Sequence, residues 1–233
     1  MKKNILVFDT ETTGQLGNPL IYDFGYKIIT PSGETIFSKN ALVSEIFDNK
    51  SLMDKAFYSD KVVTYQKKFE NGEIEKESFK ILIKQFVSEC KKHKVEVISA
   101  YNIAFDMRAL NTTLRTTYYE AYERKWLEKF VNQKNKKIVC IWNLACETIL
   151  NTDEYREFAT TNELISAKGN YLTNAEVSYK YITNDLDFVE KHTAIEDVEI
   201  EIQILLHILA NYDGNITYGV QYGSWRKVKR VQK

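Results

Sequence analysis

Three short clusters hold the side chains of this 233-residue chain whose types and spacing could do chemistry. The first, Asp9-Thr10-Glu11-Thr12-Thr13-Gly14, directly follows the apolar run Ile5-Leu6-Val7-Phe8. Such a run suits a strand buried on both faces at the centre of a sheet. Strand side chains alternate at period two, so Asp9 and Glu11 point to one side. Two neighbouring carboxylates repel each other unless a hard cation lies between them, and Mg2+ and Mn2+ prefer such oxygen ligands. Gly14 then frees the backbone to turn away. The end of a buried strand is where α/β sheets tend to hold ligands. An Asp-x-Glu pair alone is common in solvated loops, so the reading depends on what accompanies it.

The second cluster, Tyr101-Asn102-Ile103-Ala104-Phe105-Asp106, follows a strand-like segment at residues 95–98. Asp106 falls in the first turn of the helix expected over residues 105–114, where the helix dipole favours a negative charge. First-turn aspartates are frequent for that reason alone, but two strand ends bearing acids meet in space when their strands share a sheet. The third cluster is His192-Thr193-Ala194-Ile195-Glu196-Asp197. Thr193 to Glu196 has the form of a capping box, in which threonine and glutamate each satisfy a free amide of the other. His192 then lies just outside the helix and can swing over its start, with Asp197 one turn inside. A histidine beside a metal-bound water can take its proton, because its unperturbed pKa is near neutrality. Taken singly, it reads as a solvated residue before a capped helix. His93 reads as part of a basic helix end and His207 as a boundary residue of an apolar helix; neither stands beside acids.

These clusters need a frame, and the periodicity supplies one. A β-rich run at residues 20–30, the turn Pro31-Ser32-Gly33 and the run Thr35-Ile36-Phe37 predict an antiparallel hairpin. Phe79, Leu82, Ile83, Phe86, Val87 and Cys90 recur at helical spacing over residues 78–92. A strand at 138–142 leads into a helix through residue 150. Thr173 is placed to cap a helix through 182, and Ile200, Ile204, Leu205 and Ile208 continue the stripe of a long helix after Thr193. Strands first and helix–strand alternation afterwards indicate an α/β domain with a mixed sheet. Residues 44–72 and 116–137 are irregular or charged and read as elaborations of the core.

Composition narrows the class further. Lysine plus arginine balances aspartate plus glutamate, 32 against 32, so no strongly basic binder is implied. With 44% hydrophobic and 13% aromatic residues the chain can bury a substantial core unaided. Cys90, Cys140 and Cys146 form no CxxC pair; buried thiols in a reducing, cytoplasmic setting are expected. No stretch has the apolar length of a membrane span, so no membrane is expected as a partner. The segment from Trp225 to Lys233 is strongly basic and follows Tyr218 and Tyr222. It is equally a solubilising tail or a grip in which bases stack on aromatics and cations follow phosphates.

Taken together, the clusters resemble the DEDDh family of 3′→5′ exonucleases, which includes the proofreading subunits of bacterial replicative DNA polymerases. Phe8 to Gly14 matches that family's first motif, FDTETTG. Tyr101 to Asp106 keeps the Asn and Phe-Asp of the second, HNAxFD, and His192 to Asp197 matches the third, HxAxxD. Any one match could be chance; three in the right order are specific, and the resemblance spans residues 5–209. It implies a ribonuclease H-like α/β fold, with three antiparallel strands and then parallel strands, flanked by helices. An exonuclease domain over 1–212 would carry insertions near 44–72 and 116–137, with a basic aromatic tail at 213–233.

By that resemblance Asp9, Glu11, Asp106 and Asp197 hold two divalent cations, Mg2+ or Mn2+, and His192 is the general base. Thr10, Thr12, Thr13, Tyr101, Asn102 and Phe105 are the expected substrate-contacting or motif-supporting residues. Tyr101 replaces the family's usual histidine, which is not a metal ligand, so the chemistry is expected to survive. The implied substrate is nucleic acid with a free 3′ end, single-stranded DNA first, in proofreading, replication or repair, with a DNA polymerase or replisome component as a candidate partner. An RNA-trimming enzyme of the same family and a catalytically silent nucleic-acid-binding or polymerase-tethering module are the alternatives. All five catalytic positions are filled, which argues against the silent one.

Overall fold

A computed structural model of the chain describes residues 3–14, 17–56, 62–117, 136–220 and 222–228. In these residues six strands form one sheet: β1 (Ile5–Thr13), β2 (Leu20–Ile29), β3 (Thr35–Val43), β4 (Glu75–Glu77), β5 (Val97–Ala100) and β6 (Lys137–Cys140), in the order β4-β3-β2-β1-β5-β6. The β1–β2 and β2–β3 pairs are antiparallel, whereas β5 on β1, β6 on β5 and β4 on β3 are parallel. The mixed α/β sheet is therefore the expected one, with an additional short edge strand, β4.

The helices are α1 (Ser44–Phe47), α2 (Lys50–Met53), α3 (Val62–Glu70), α4 (Phe79–Lys92), α5 (Ile103–Thr117), α6 (Ile141–Glu147), α7 (Asp153–Thr161), α8 (Ala175–Thr183) and α9 (Ala194–Asn211). The pleat of β1 divides them into two layers. Leu6 and Phe8 face a core shared with Leu82, Ile83, Phe86 and Val87 of α4 and Leu110 of α5. Ile5 and Val7 face the other core, with Val198, Ile204, Leu205 and Ile208 of α9 and Leu144 of α6. By the same alternation Asp9 and Glu11 lie on the α9 side and Thr10 on the α5 side.

Several elements depart from the sequence expectations. β1 runs through the acidic motif to Thr13 because β2 stays paired with it, from Asp9 opposite Gly25 to Thr13 opposite Leu20. On its other side the β5 ladder reaches only from Ile5 to Val7, so Asp9 and Glu11 lie beyond the end of β5. A bulge between Glu11 and Thr12 bends the strand as it leaves the sheet. β5 begins two residues later than its apolar run and extends through small, buried Ser99 and Ala100. Ile141 starts α6 instead of extending β6. The irregular stretch after Val43 folds into α1, α2 and α3. Of the other elaboration, residues 118–135 lie outside the described residues.

Two helix starts are capped differently from their local sequence. The side chain of Thr173 is not the cap of α8, which begins after Asn174; its hydroxyl accepts a 2.9 Å bond from the Trp142 indole. At α9 the capping box does not close: Thr193 makes no side-chain bond to a helix amide, and its hydroxyl donates to the Glu196 carboxylate instead. The free amide of Ala194 is taken by Asp23 of β2, at 3.0 Å. Strand and helix touch backbone to backbone there, since a Cβ on Gly25 would stand 2.6 Å from Ala194 C and Ile195 N.

Candidate active site

Each of the three clusters presents its acids from a different rigid element. Glu11 comes from β1 and Asp197 from the first turn of α9, and ligand atoms of both lie within 4.8 Å of one another and of a His192 ring nitrogen. Asp9 is half-buried, Glu11 and Asp197 are buried, and Asp106, in the first turn of α5, is 3% exposed. Burial raises the Asp9 carboxyl well above the usual carboxylate range, and repulsion from Asp106, Glu201, Asp197 and Glu11 adds to it. Four acids close enough to act on Asp9 place the three clusters around one centre.

Asp106 is held from β1. The Thr10 hydroxyl donates a 2.8 Å bond to its Oδ1, and the Thr10 amide also contributes. Burial nevertheless pushes its carboxyl up to about 7. These groups favour the neutral form only while nothing positive is near; a bound divalent cation inverts that preference. The donor set is almost entirely carboxylate oxygen with one imidazole, which fits Mg2+ or Mn2+. Glu11, Asp197, Asp9 and Asp106 are the residues that could hold such ions.

His192 precedes α9 in the left-handed region, with φ +52°, a conformation that costs a non-glycine residue about 1–3 kcal/mol. Its surroundings hold it there. Its carbonyl is 3.4 Å from the hydroxyl of Tyr65, on α3, which also donates a 2.7 Å bond to Asp23. Its Nδ1 lies 3.6 Å from Glu190 Oε2, within ion-pair range but too long for a hydrogen bond. Asp23 is fully buried, and burial lifts its carboxyl to about 6 despite the bonds from Tyr65 and Ala194.

The remaining residues expected at the site separate into two groups. Thr12, Asn102 and Phe105 are half-buried. The Asn102 carbonyl accepts from the amides of Phe105 and Asp106 and so starts α5. The side chains of Thr10, Thr13 and Tyr101 are committed inside the protein, which leaves the backbone of Thr10 for the expected contact with the terminal nucleotide. The Thr10 hydroxyl serves Asp106, and that of Thr13 donates to the Leu52 carbonyl. Tyr101, 8% exposed, bonds through its hydroxyl to the Thr173 carbonyl at 2.7 Å and to Ser178 at 2.6 Å.

Sequence reasoning missed Asp23, Tyr65 and Glu201. The first two are single polar residues in otherwise ordinary segments, without local spacing to mark them. Glu201 did leave a signal: it follows Asp197 by four residues and shares a helix face with Leu205 and Ile208, where an apolar side chain is the norm.

The basic C-terminal segment is partly docked. Ser224 to Lys227 form a 3-10 turn against α6, Val228 is buried, and Lys227 bonds to Asn143 at 2.7 Å and to Glu147. Tyr222 is exposed, and residues 229–233 lie outside the described residues. No helix of the described residues is long and apolar enough to cross a membrane.

Neither a protein-family model nor a curated protein sequence matches the chain. Solved structures do. A full-length 3′-exonuclease superimposes with a TM-score of 0.58 at 12% identity, covering 99% of this chain and 91% of its own. E. coli exonuclease I in complex with a dA16 oligonucleotide gives 0.57 at 14% identity, over 91% of this chain; the match spans only 41% of exonuclease I. A 3′-exonuclease that recognises the 3′ end of a histone mRNA stem-loop gives 0.52 at 12% identity, covering 96% of this chain and 69% of its own. With its mixed sheet, flanking helices and strand order, the chain has the ribonuclease H-like fold that these exonucleases share.

Proposed function

We propose that this chain is a divalent-cation-dependent 3′→5′ exonuclease that releases nucleoside 5′-monophosphates from the 3′ end of single-stranded DNA. Asp9, Glu11, Asp106 and Asp197 hold two cations and His192 is the general base. The observation that carries this reading is convergence: Glu11 of the first strand and His192 and Asp197 at the start of the last long helix bring their ligand atoms within 4.8 Å. The fold likeness at 12–14% identity speaks to architecture. The chemistry rests on the three motifs, matched in order.

A phosphodiester resists hydroxide because its own charge repels the nucleophile. Two divalent cations, when bound, supply Lewis-acid stabilisation to the attacking and leaving oxygens. His192 takes the proton of the attacking water as the new O–P bond forms and the bond to the 3′ oxygen breaks. Glu190, near Nδ1, steadies the resulting imidazolium and leaves Nε2 for the water. Tyr65, through the His192 carbonyl, and the strand-capped start of α9 keep the imidazole over the acids. Thr12, Asn102 and Phe105 border the place where the terminal nucleotide would lie.

The test uses 5′-labelled DNA and RNA oligonucleotides with Mg2+, Mn2+ or chelator. A ladder shortening from the 3′ end, abolished by chelator and by Asp9→Ala, is expected. His192→Ala is expected to slow cleavage by about 10²–10⁴-fold, the usual worth of a positioned base. Parental activity in either variant would discard the scheme, and faster shortening of RNA than of DNA would change the substrate to RNA.

A further inference from the structure

A fifth acid lies behind the four. Glu201 sits one turn beyond Asp197 on α9 and is 2% exposed. Its neighbours along the buried face of that helix, Val198, Leu205 and Ile208, are apolar and completely buried. One carboxylate oxygen of Glu201 is met by the Tyr101 amide, at the point where β5 passes into the second motif. The other, Oε2, is buried and has no hydrogen-bond partner. The charges that act on Glu201 include those of Asp106 and Asp197, and Glu201 in turn acts on Asp9. A buried carboxylate without a cation is a costly choice where leucine would pack. Its placement inside an acidic cluster, with an unsatisfied oxygen, gives it a use.

We propose that Glu201 belongs to the cation-binding set, so that five carboxylates and not four hold divalent metal in this chain. The proposal rests on the metal-site reading above and extends it by one residue. In this role Glu201 anchors the back of the cluster: the Tyr101 amide fixes one oxygen, and the other supplies negative charge to the cations that Asp106 and Asp197 face. Buried charges that support metal ligands typically change metal affinity 10–100-fold when removed.

The experiment is titration of the full chain with MnCl2, followed by calorimetry and by the shift in thermal midpoint, for the parent, Glu201→Gln, Glu201→Leu and Asp9→Asn. Gln keeps the size of Glu and an oxygen for the Tyr101 amide, and Leu restores the apolar stripe. Both variants are expected to unfold in chelator at or above the parental temperature. Both are expected to bind Mn2+ about 10–100-fold more weakly and to gain less from it in thermal midpoint. Parental Mn2+ affinity in either folded variant would overturn the proposal, leaving the nuclease reading intact if Asp9→Asn still loses the metal. A parent that binds Mn2+ in a Glu201-dependent way but shortens no oligonucleotide would support the fifth acid while overturning the exonuclease. A parent that binds no Mn2+ would overturn both.

Discussion

The Tyr65 hydroxyl donates a 2.7 Å hydrogen bond to the buried carboxylate of Asp23 and lies 3.4 Å from the carbonyl of His192. Asp23 also accepts from the Ala194 amide, so one carboxylate caps α9 and, through Tyr65, braces the residue two positions before it. Tyr65→Phe removes the brace without removing the ring. We expect single-turnover cleavage to fall by about tenfold, since ångström-scale misplacement of a reacting group costs up to about 10²-fold. Stability should drop by about 1.5–3 kcal/mol, the worth of a buried hydrogen bond to a charged group. Mn2+ affinity should stay parental. Unaltered cleavage would remove Tyr65 from any positioning role.

Gly25 is the contact point between β2 and the start of α9. A Cβ there would meet Ala194 C and Ile195 N at 2.6 Å, and both are backbone atoms that cannot rotate aside. Gly25→Ala should lower stability by about 1–3 kcal/mol, as overpacking usually does. Because the helix must shift, activity should fall further than stability alone explains. Urea denaturation beside a cleavage assay checks both, and a parental midpoint would contradict the close approach.

Thr10→Val keeps the shape of the side chain and removes the hydroxyl that donates to Asp106. Asp106 then loses a bond that favours its ionised form, so divalent metal should bind about tenfold more weakly, at the low end for an outer-shell partner. Mn2+ titration near neutral pH measures this, with parental affinity as the contrary result.

The buried acids also make a prediction about pH. Asp106 is raised to about 7, Asp23 to about 6, and Asp9 and Glu201 are raised as well, first of all by burial. Between their unfolded pKa values, about 4, and these folded values, the native state holds more protons than the unfolded state, so stability falls as pH rises. Glu147, Glu176 and Glu196 are partly buried, yet hydrogen bonds from Lys227, Lys180 and Thr193 hold them below the usual range. Their contribution therefore changes only below about pH 4.5. In chelator the thermal midpoint should decline from about pH 5 to about pH 7.5, and saturating Mg2+ should flatten that decline by favouring the ionised acids. A chelated protein that grew more stable across that range would show these carboxyls to be solvated.

Local spacing singled out Asp9, Glu11, Asp106, His192 and Asp197 as candidates because each sits in a short pattern beside a strand or helix end. It could not show that Thr10 and Thr13 would turn inward, because that depends on Asp106 and on Leu52, 39 residues beyond Thr13. The length of β1 was equally hidden: a strand persists as long as its partner does, and β2 accompanies it past the acids. At α9 the right boundary came with the wrong cap, because a carboxylate from another strand reached the Ala194 amide first. Tyr101 read only as a replacement for the family's usual histidine, and its bonds to Thr173 and Ser178, more than 70 residues away, had no local signal.

That cap from a distant strand has a consequence for how the protein is made. A ribosome-tethered chain about 190 residues long already carries the sheet and the acids of the first two clusters. It still lacks His192 and Asp197, and the carboxylate waiting on β2 has no helix to receive. The grouping of Glu11, His192 and Asp197 is therefore completed in one step, when α9 docks against β2.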